Sequence, residues 1–318
     1  MSAPVKVLLD RYATDAPSLP PDTSTPWFLI GLASIGAILA GAALMMALVL
    51  LLEGADMTPE ALGMVCGVIA LGGGLVIGLM GKGLFLNQFS TTGAVAGQVL
   101  LAGSIFEYTD SAAAAVVVAW AVAGLAGTVL RDPLQQFLSA AVAMGATCAW
   151  VLDAETGVGL PLMMVCAVPL GLAALFTPPR RLDVRPAAYA VLIVPLVMFE
   201  PLVTTYPLQV MGALPYAAGA VWVLWPALIT PARTAVAVAC AVAFTGLAPG
   251  VMGALLLLAV AWRMGNRTVA GVGVIALLAF VVRYYFDVDV TLLTKSGLLV
   301  AGGVLTLGLW MVWRRMAT

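Results

Sequence analysis

Apolar runs of roughly twenty residues, the length of one bilayer crossing, follow one another along this chain with only short polar breaks. They cover about 27–52, 61–81, 84–106, 111–130, 133–152, 158–176, 187–203, 211–229, 234–247, 251–263, 268–286 and 291–313. The runs are continuous and lack alternation of period two, which predicts helices rather than barrel strands. Lipid supplies no hydrogen-bond partners, so a helix with all its backbone bonds internal is the available solution. Charged residues are 9% of the 318, against about 25% in a soluble domain, and hydrophobic ones are 63%. Twelve crossings would use about 240 residues. Too few remain for an extramembrane domain of ordinary size. The predicted fold is an all-α polytopic transmembrane bundle of about twelve spans. Residues 1–26 read as a polar, Pro-rich cytoplasmic tail rather than a signal peptide. Residues 27–318 read as one transmembrane domain, six spans on either side of the 177–186 loop.

The loop charges predict an orientation. With the N-terminus inside, 12 of the 14 basic residues fall in cytoplasmic segments, among them Lys82, Arg131, Arg180, Arg181, Arg233, Arg263 and Arg267. The opposite side holds 10 of the 15 acidic residues and, as cations, Arg283 and Lys295. Lys and Arg collect on the cytoplasmic side of membrane proteins, so both termini are expected in the cytoplasm of a bacterial inner membrane. Residues 234–263 carry Ala248-Pro249-Gly250 near their middle and are compatible with two short crossings or a re-entrant hairpin.

Several function classes drop out. Net charge is −1 with no basic patch, so nucleic acid is not an expected partner; the lipid bilayer is. The chain has no histidine, which removes the commonest acid–base group and metal ligand. Cys66, Cys148, Cys166 and Cys240 lie in apolar runs without CxxC spacing and read as small core residues. No metal, cofactor or enzymatic activity is expected. An outer acidic pair, Asp287 and Asp289, is the one feature on which a lipid-modifying reaction would have to rest, and turn aspartates are ordinarily just solvated.

Ionisable and polar residues at membrane depth are the remaining candidates. Glu200, just before Pro201, is a protonatable group if it faces a cavity, and an interfacial residue ending its span if it does not. Its place near the outer end favours the second. An outer-face cluster comprises Arg283, Tyr284, Tyr285, Asp287, Asp289 and Lys295. Arg283 and Asp287 have ion-pair spacing if the helix continues, and the tyrosines suit an interfacial belt. The cluster reads as a lock between the last two helices or as a docking site. The third span is the most polar, with Asn87, Gln88, Thr91 and Gln98. An unpaired Gln98 facing lipid would cost several kcal/mol, so this span belongs inside the bundle. Gly93-x-x-x-Gly97 and Gly74-x-x-x-Gly78 permit close helix approach, with internal packing the default. A solute path along Asn87, Thr91 and Gln98 is the sharper alternative.

Two stretches carry a family resemblance. FLNQFSTTGAVAGQVLL contains Gly97 and Gln98; GNRTVAGVGVIALLAFVVRYYFDVDVTLLTKSGLL contains Gly265, Asn266, Tyr284, Tyr285, Leu292, Leu293, Lys295 and Ser296. Both resemble signatures of the bacterial membrane family catalogued as domain of unknown function number 4401, over about residues 25–315. The resemblance implies no activity and no catalytic residues. It does imply a partner, since such proteins are often encoded beside a membrane-anchored protein of the GDYXXLXY type. The expected role is therefore the multi-span subunit or scaffold of an envelope complex; the alternative is a transporter or channel for a small solute.

Overall fold

The computed structural model describes residues 27–53, 57–80, 83–153, 158–178, 183–202, 206–228, 231–247 and 249–287, with isolated positions 296–297, 300 and 303. Among these residues there are helices and no strand. In chain order the helices are α1 (Trp27–Glu53), α2 (Pro59–Met80), α3 (Leu84–Thr109), α4 (Ala112–Leu130), α5 (Pro133–Asp153), α6 (Gly159–Phe176), α7 (Arg185–Leu202), α8 (Tyr206–Leu224), α9 (Pro231–Leu247), α10 (Pro249–Met264) and α11 (Arg267–Asp287). Seven candidate spans, in α1 to α6 and α8, are long and apolar enough to cross a membrane. Large apolar side chains stand fully outward on them, such as Leu39 at 65% and Met80 at 77% exposure. So wide an apolar exterior fits a hydrocarbon solvent and not water. The expected last span, 291–313, lies almost wholly outside the described residues, as does the 1–26 tail.

Boundaries follow local chemistry. Ser111 caps α4 by accepting a bond from the Ala114 amide at 3.4 Å. Arg131 then ends α4 in the left-handed region (φ 52°), and Asp132 caps α5 through the Leu134 amide at 3.2 Å. At the far end of the chain, Gly265 takes φ 65°, and the Asn266 amide reaches back to the Ala261 carbonyl at 3.0 Å. That is the glycine-terminated helix end in which glycine has no Cβ to clash. The Asn266 side chain next accepts from the Thr268 and Val269 amides and so opens α11. The Gly-Asn pair is thus one hinge that stops α10 and starts α11.

One helix start differs from the sequence reading, for a physical reason. The eighth helix begins at Tyr206 rather than 211, because Pro207 sits in its first turn, where a missing N–H costs nothing. Residues 234–263 fall in two helices, Pro231–Leu247 and Pro249–Met264, of 17 and 16 residues. Each is about 25 Å long, under the ~30 Å hydrocarbon thickness. Yet α10 is the most enclosed element: Met252, Ala254, Leu256, Leu257 and Val260 are buried against α7, α8 and α11. A helix walled in by protein need not match the bilayer.

Packing differs along the chain. From α2 to α5 the buried side chains are mostly small, Ala94, Ala102, Ala119 and Ala143 beside Leu71 and Val122. From α5 to α11 they include larger ones, among them Met144, Met164, Leu192, Tyr216, Leu256 and Phe280 in one core. Helix α5 belongs to both regions. Cys66 and Cys148 are buried as expected, whereas Cys166 is exposed and is not a core residue.

Candidate functional site

Small residues decide where the polar groups meet. A Cβ on Gly97 would strike the Leu71 backbone and the Gly67 carbonyl, and one on Gly74 would lie 2.7 Å from the Ala94 amide. The glycines of α2 and α3 therefore face each other within the chain, and the two helices run antiparallel at backbone contact. The Ser90 hydroxyl donates to the Gly74 carbonyl at 2.7 Å across this seam.

On the other side of α3, a ladder of polar groups joins it to α5. The Thr91 hydroxyl donates to Asp132 Oδ2 at 3.4 Å. Two turns further along α3, Gln98 Nε2 donates to the Ser139 carbonyl at 2.9 Å and to the Ala119 carbonyl at 2.9 Å. Both rungs join residues 41 apart, so α3 and α5 run in the same direction with α4 antiparallel between them. Gln135 Nε2 meets the Ser139 hydroxyl at 2.7 Å, and Gln136 Nε2 donates to the Gly127 carbonyl at 3.2 Å. Asp132 to Ser139 spans seven residues, or about 10 Å of helix. The ladder thus starts at the mouth of α5 and ends inside the bundle.

The Gln98 amide has one sensible orientation. Two carbonyls face its nitrogen, and turning it over would set oxygen against oxygen. Its Oε1 is then buried with no partner among the described residues. Gln135 Oε1 is in the same position, but its bond to Ser139 works in either sense, because a hydroxyl both donates and accepts. Gln98 and Gln135 are both fully buried.

Of the intramembrane candidates, Thr91 and Gln98 come together on the ladder, Gln88 is half-buried, and Asn87 stands exposed at the start of α3. Glu200 lies in the last turn of α7, with its side chain outside the described residues. Helix α11 does continue from Arg283 to Asp287, which satisfies the condition for their pairing. Arg283 is half-buried; the side chains of Tyr284, Tyr285 and Asp287, and the whole of Asp289 and Lys295, lie outside the described residues. Sequence reasoning missed Asp132, Gln135 and Ser139. Their spacing of three and four, which puts them on one face at the start of α5, was the available signal.

The profile of the family described as "Domain of unknown function (DUF4401)" matches residues 26–316. The chain belongs to that family; among the described residues it is helical, with several helices apt for crossing a membrane. No curated protein and no solved structure matches it.

Proposed function

We propose that this protein is a twelve-span inner-membrane protein with both termini in the cytoplasm, and that it serves as the multi-span subunit or scaffold of an envelope complex rather than as an enzyme. Its partner would be a membrane-anchored protein of the GDYXXLXY type. One observation carries the reading: the buried polar side chains clamp helix to helix. Ser90, Gln98 and Gln136 donate to backbone carbonyls of neighbouring helices, and the Tyr216 hydroxyl donates to the Leu192 carbonyl at 3.1 Å. Such bonds stiffen a bundle and do not in themselves line a passage. The loop-charge asymmetry supports the orientation. The test is purification at native expression level in mild detergent, followed by mass spectrometry. A stoichiometric single-span partner carrying that string is the expected result; a protein that runs alone and monodisperse would remove the complex reading. Reporter fusions at both termini should be active only in the cytoplasm.

Transport of a small solute is the second reading, favoured by the ladder itself. A line of polar groups leads inward from Asp132 and holds a buried acceptor, Gln98 Oε1, without a partner. Flux in liposomes should then fall with Gln98→Leu, and with Glu200→Gln if proton coupling is involved. Flux indifferent to both changes would rule out this path.

A further inference from the structure

Helix α8 is flanked by apolar grooves on both sides. One, about 640 Å³, lies between α6 and α8, where Pro169 and Pro215, each inside its helix, line the same space. The other, about 430 Å³, lies between α8 and α9. Both are walled by Leu214, Ala218 and Trp222, so the ridge between them is a single face of α8. At the C-terminal end of that ridge is a third, smaller hollow of about 290 Å³, bounded by Val223, Pro226, Ala227, Trp262 and Arg263.

Arg263 is the polar centre of this arrangement. Its guanidinium stands 4.4 Å from the Phe176 ring centroid and 5.5 Å from that of Trp222, which also lines both grooves. One of its N–H groups donates to the Val223 carbonyl at 3.2 Å. Stacking and that single bond orient the group while leaving most of its five donors unengaged among the described residues. Among the described residues no carboxylate lies within ion-pair distance of it. Trp222, Trp225 and Trp262 are all exposed around it. Exposed tryptophans beside a cation at helix ends mark the headgroup level of a bilayer.

We infer that this site binds one anionic phospholipid: its two acyl chains lie in the grooves on either side of α8, and its phosphate sits at Arg263. The two-sided groove selects this occupant. Two chains leaving one glycerol can straddle a ridge, whereas a partner's transmembrane helix, about 10 Å across, would fill one side only. The charge selects the headgroup, since a guanidinium with unengaged donors matches a phosphate. The inference stands apart from the scaffold and transport readings, because it uses neither the α3–α5 ladder nor the outer-face cluster.

The test is native mass spectrometry of the full chain in detergent, offered dioleoyl phosphatidylglycerol or dioleoyl phosphatidylcholine, with thermal unfolding in parallel. One phosphatidylglycerol retained per chain is expected, with about a tenfold preference over phosphatidylcholine and a matching rise in Tm. Arg263→Gln should abolish the preference, and Arg263→Lys should restore part of it. Because Arg263 also holds the Val223 carbonyl, a second variant avoids it. Ala173→Phe, on the exposed wall of the larger groove, should lower retention of both lipids without altering the preference. Equal retention of both lipids, or retention indifferent to both Arg263→Gln and Ala173→Phe, would overturn the proposal. So would stabilisation by glycerol 3-phosphate alone, which would mark a phosphate site without a lipid, or a co-purified single-span protein whose binding Ala173→Phe abolishes.

Discussion

Gln98 and Gln135 are both fully buried glutamines, yet they do different things. Gln98 holds two backbone carbonyls on two helices, α4 and α5, through one amide nitrogen. Gln135 reaches only the Ser139 hydroxyl, one turn along its own helix. Interhelical side-chain bonds in membrane proteins average about 0.6 kcal/mol and reach about 1.7. Gln98→Leu should therefore lower the unfolding free energy in detergent by about 1–2 kcal/mol. Gln135→Leu should change it by less than about 0.5 kcal/mol, because the bond lost lies within one helix and joins no second one. A denaturation titration comparing the two variants checks the contrast. Equal losses would mean that both amides work across helices. Asn266→Ala should cost about 1 kcal/mol by uncapping α11, read in the same titration.

The pairing of α2 with α3 shows what an element can require of its residues. In lipid the apolar effect does not press helices together, so close van der Waals fit has to. Glycine lets the two backbones touch, and Gly67, Gly74, Gly93 and Gly97 all lie in the seam. Gly72 and Gly73, on the same helix as Gly74, have nothing within 4 Å of a added Cβ. Gly97→Leu should therefore push α2 off α3 and destabilise the fold by several kcal/mol, as overpacking at backbone contact does. Gly72→Ala should be neutral or stabilise by up to about 1 kcal/mol, through helix propensity alone. Thermal unfolding monitored by loss of the monodisperse species separates the two. The same reasoning explains why the glycine pairs do not report a dimer: their partners are already present in the neighbouring helix.

Across the whole molecule, α5 joins a region packed on alanine, glycine and polar bonds to one packed on leucine, methionine and tyrosine. Leu256, at the centre of the larger core with no exposed surface, should cost about 2–5 kcal/mol on change to Ala. Leu39 on α1, which faces outward, should cost less than about 0.5 kcal/mol, since an exposed chain leaves no cavity. The window of α1 that could cross a membrane is only 6% buried, against 44% for α6. The first helix is thus the least committed to the bundle and the most open to lipid or to a second protein.

The positions of the described helices were legible in the sequence to within about five residues, because solvation in lipid is a local demand. Each segment has to satisfy its own backbone and present apolar side chains, whatever its neighbours are. The same local logic marked α3 as an interior helix. What sequence could not supply was the set of neighbours. Gln98 stood out as polar, but its acceptors on Ala119 and Ser139 exist only once α3, α4 and α5 are brought side by side. Arg263 looked like a loop cation until Phe176, Trp222 and Val223 closed around it from other helices. Hydropathy has no direction, so it shows that a helix is buried in something without showing which face meets protein and which meets lipid. That choice rests on backbone contacts between residues far apart in the chain, and only the tertiary structure makes it.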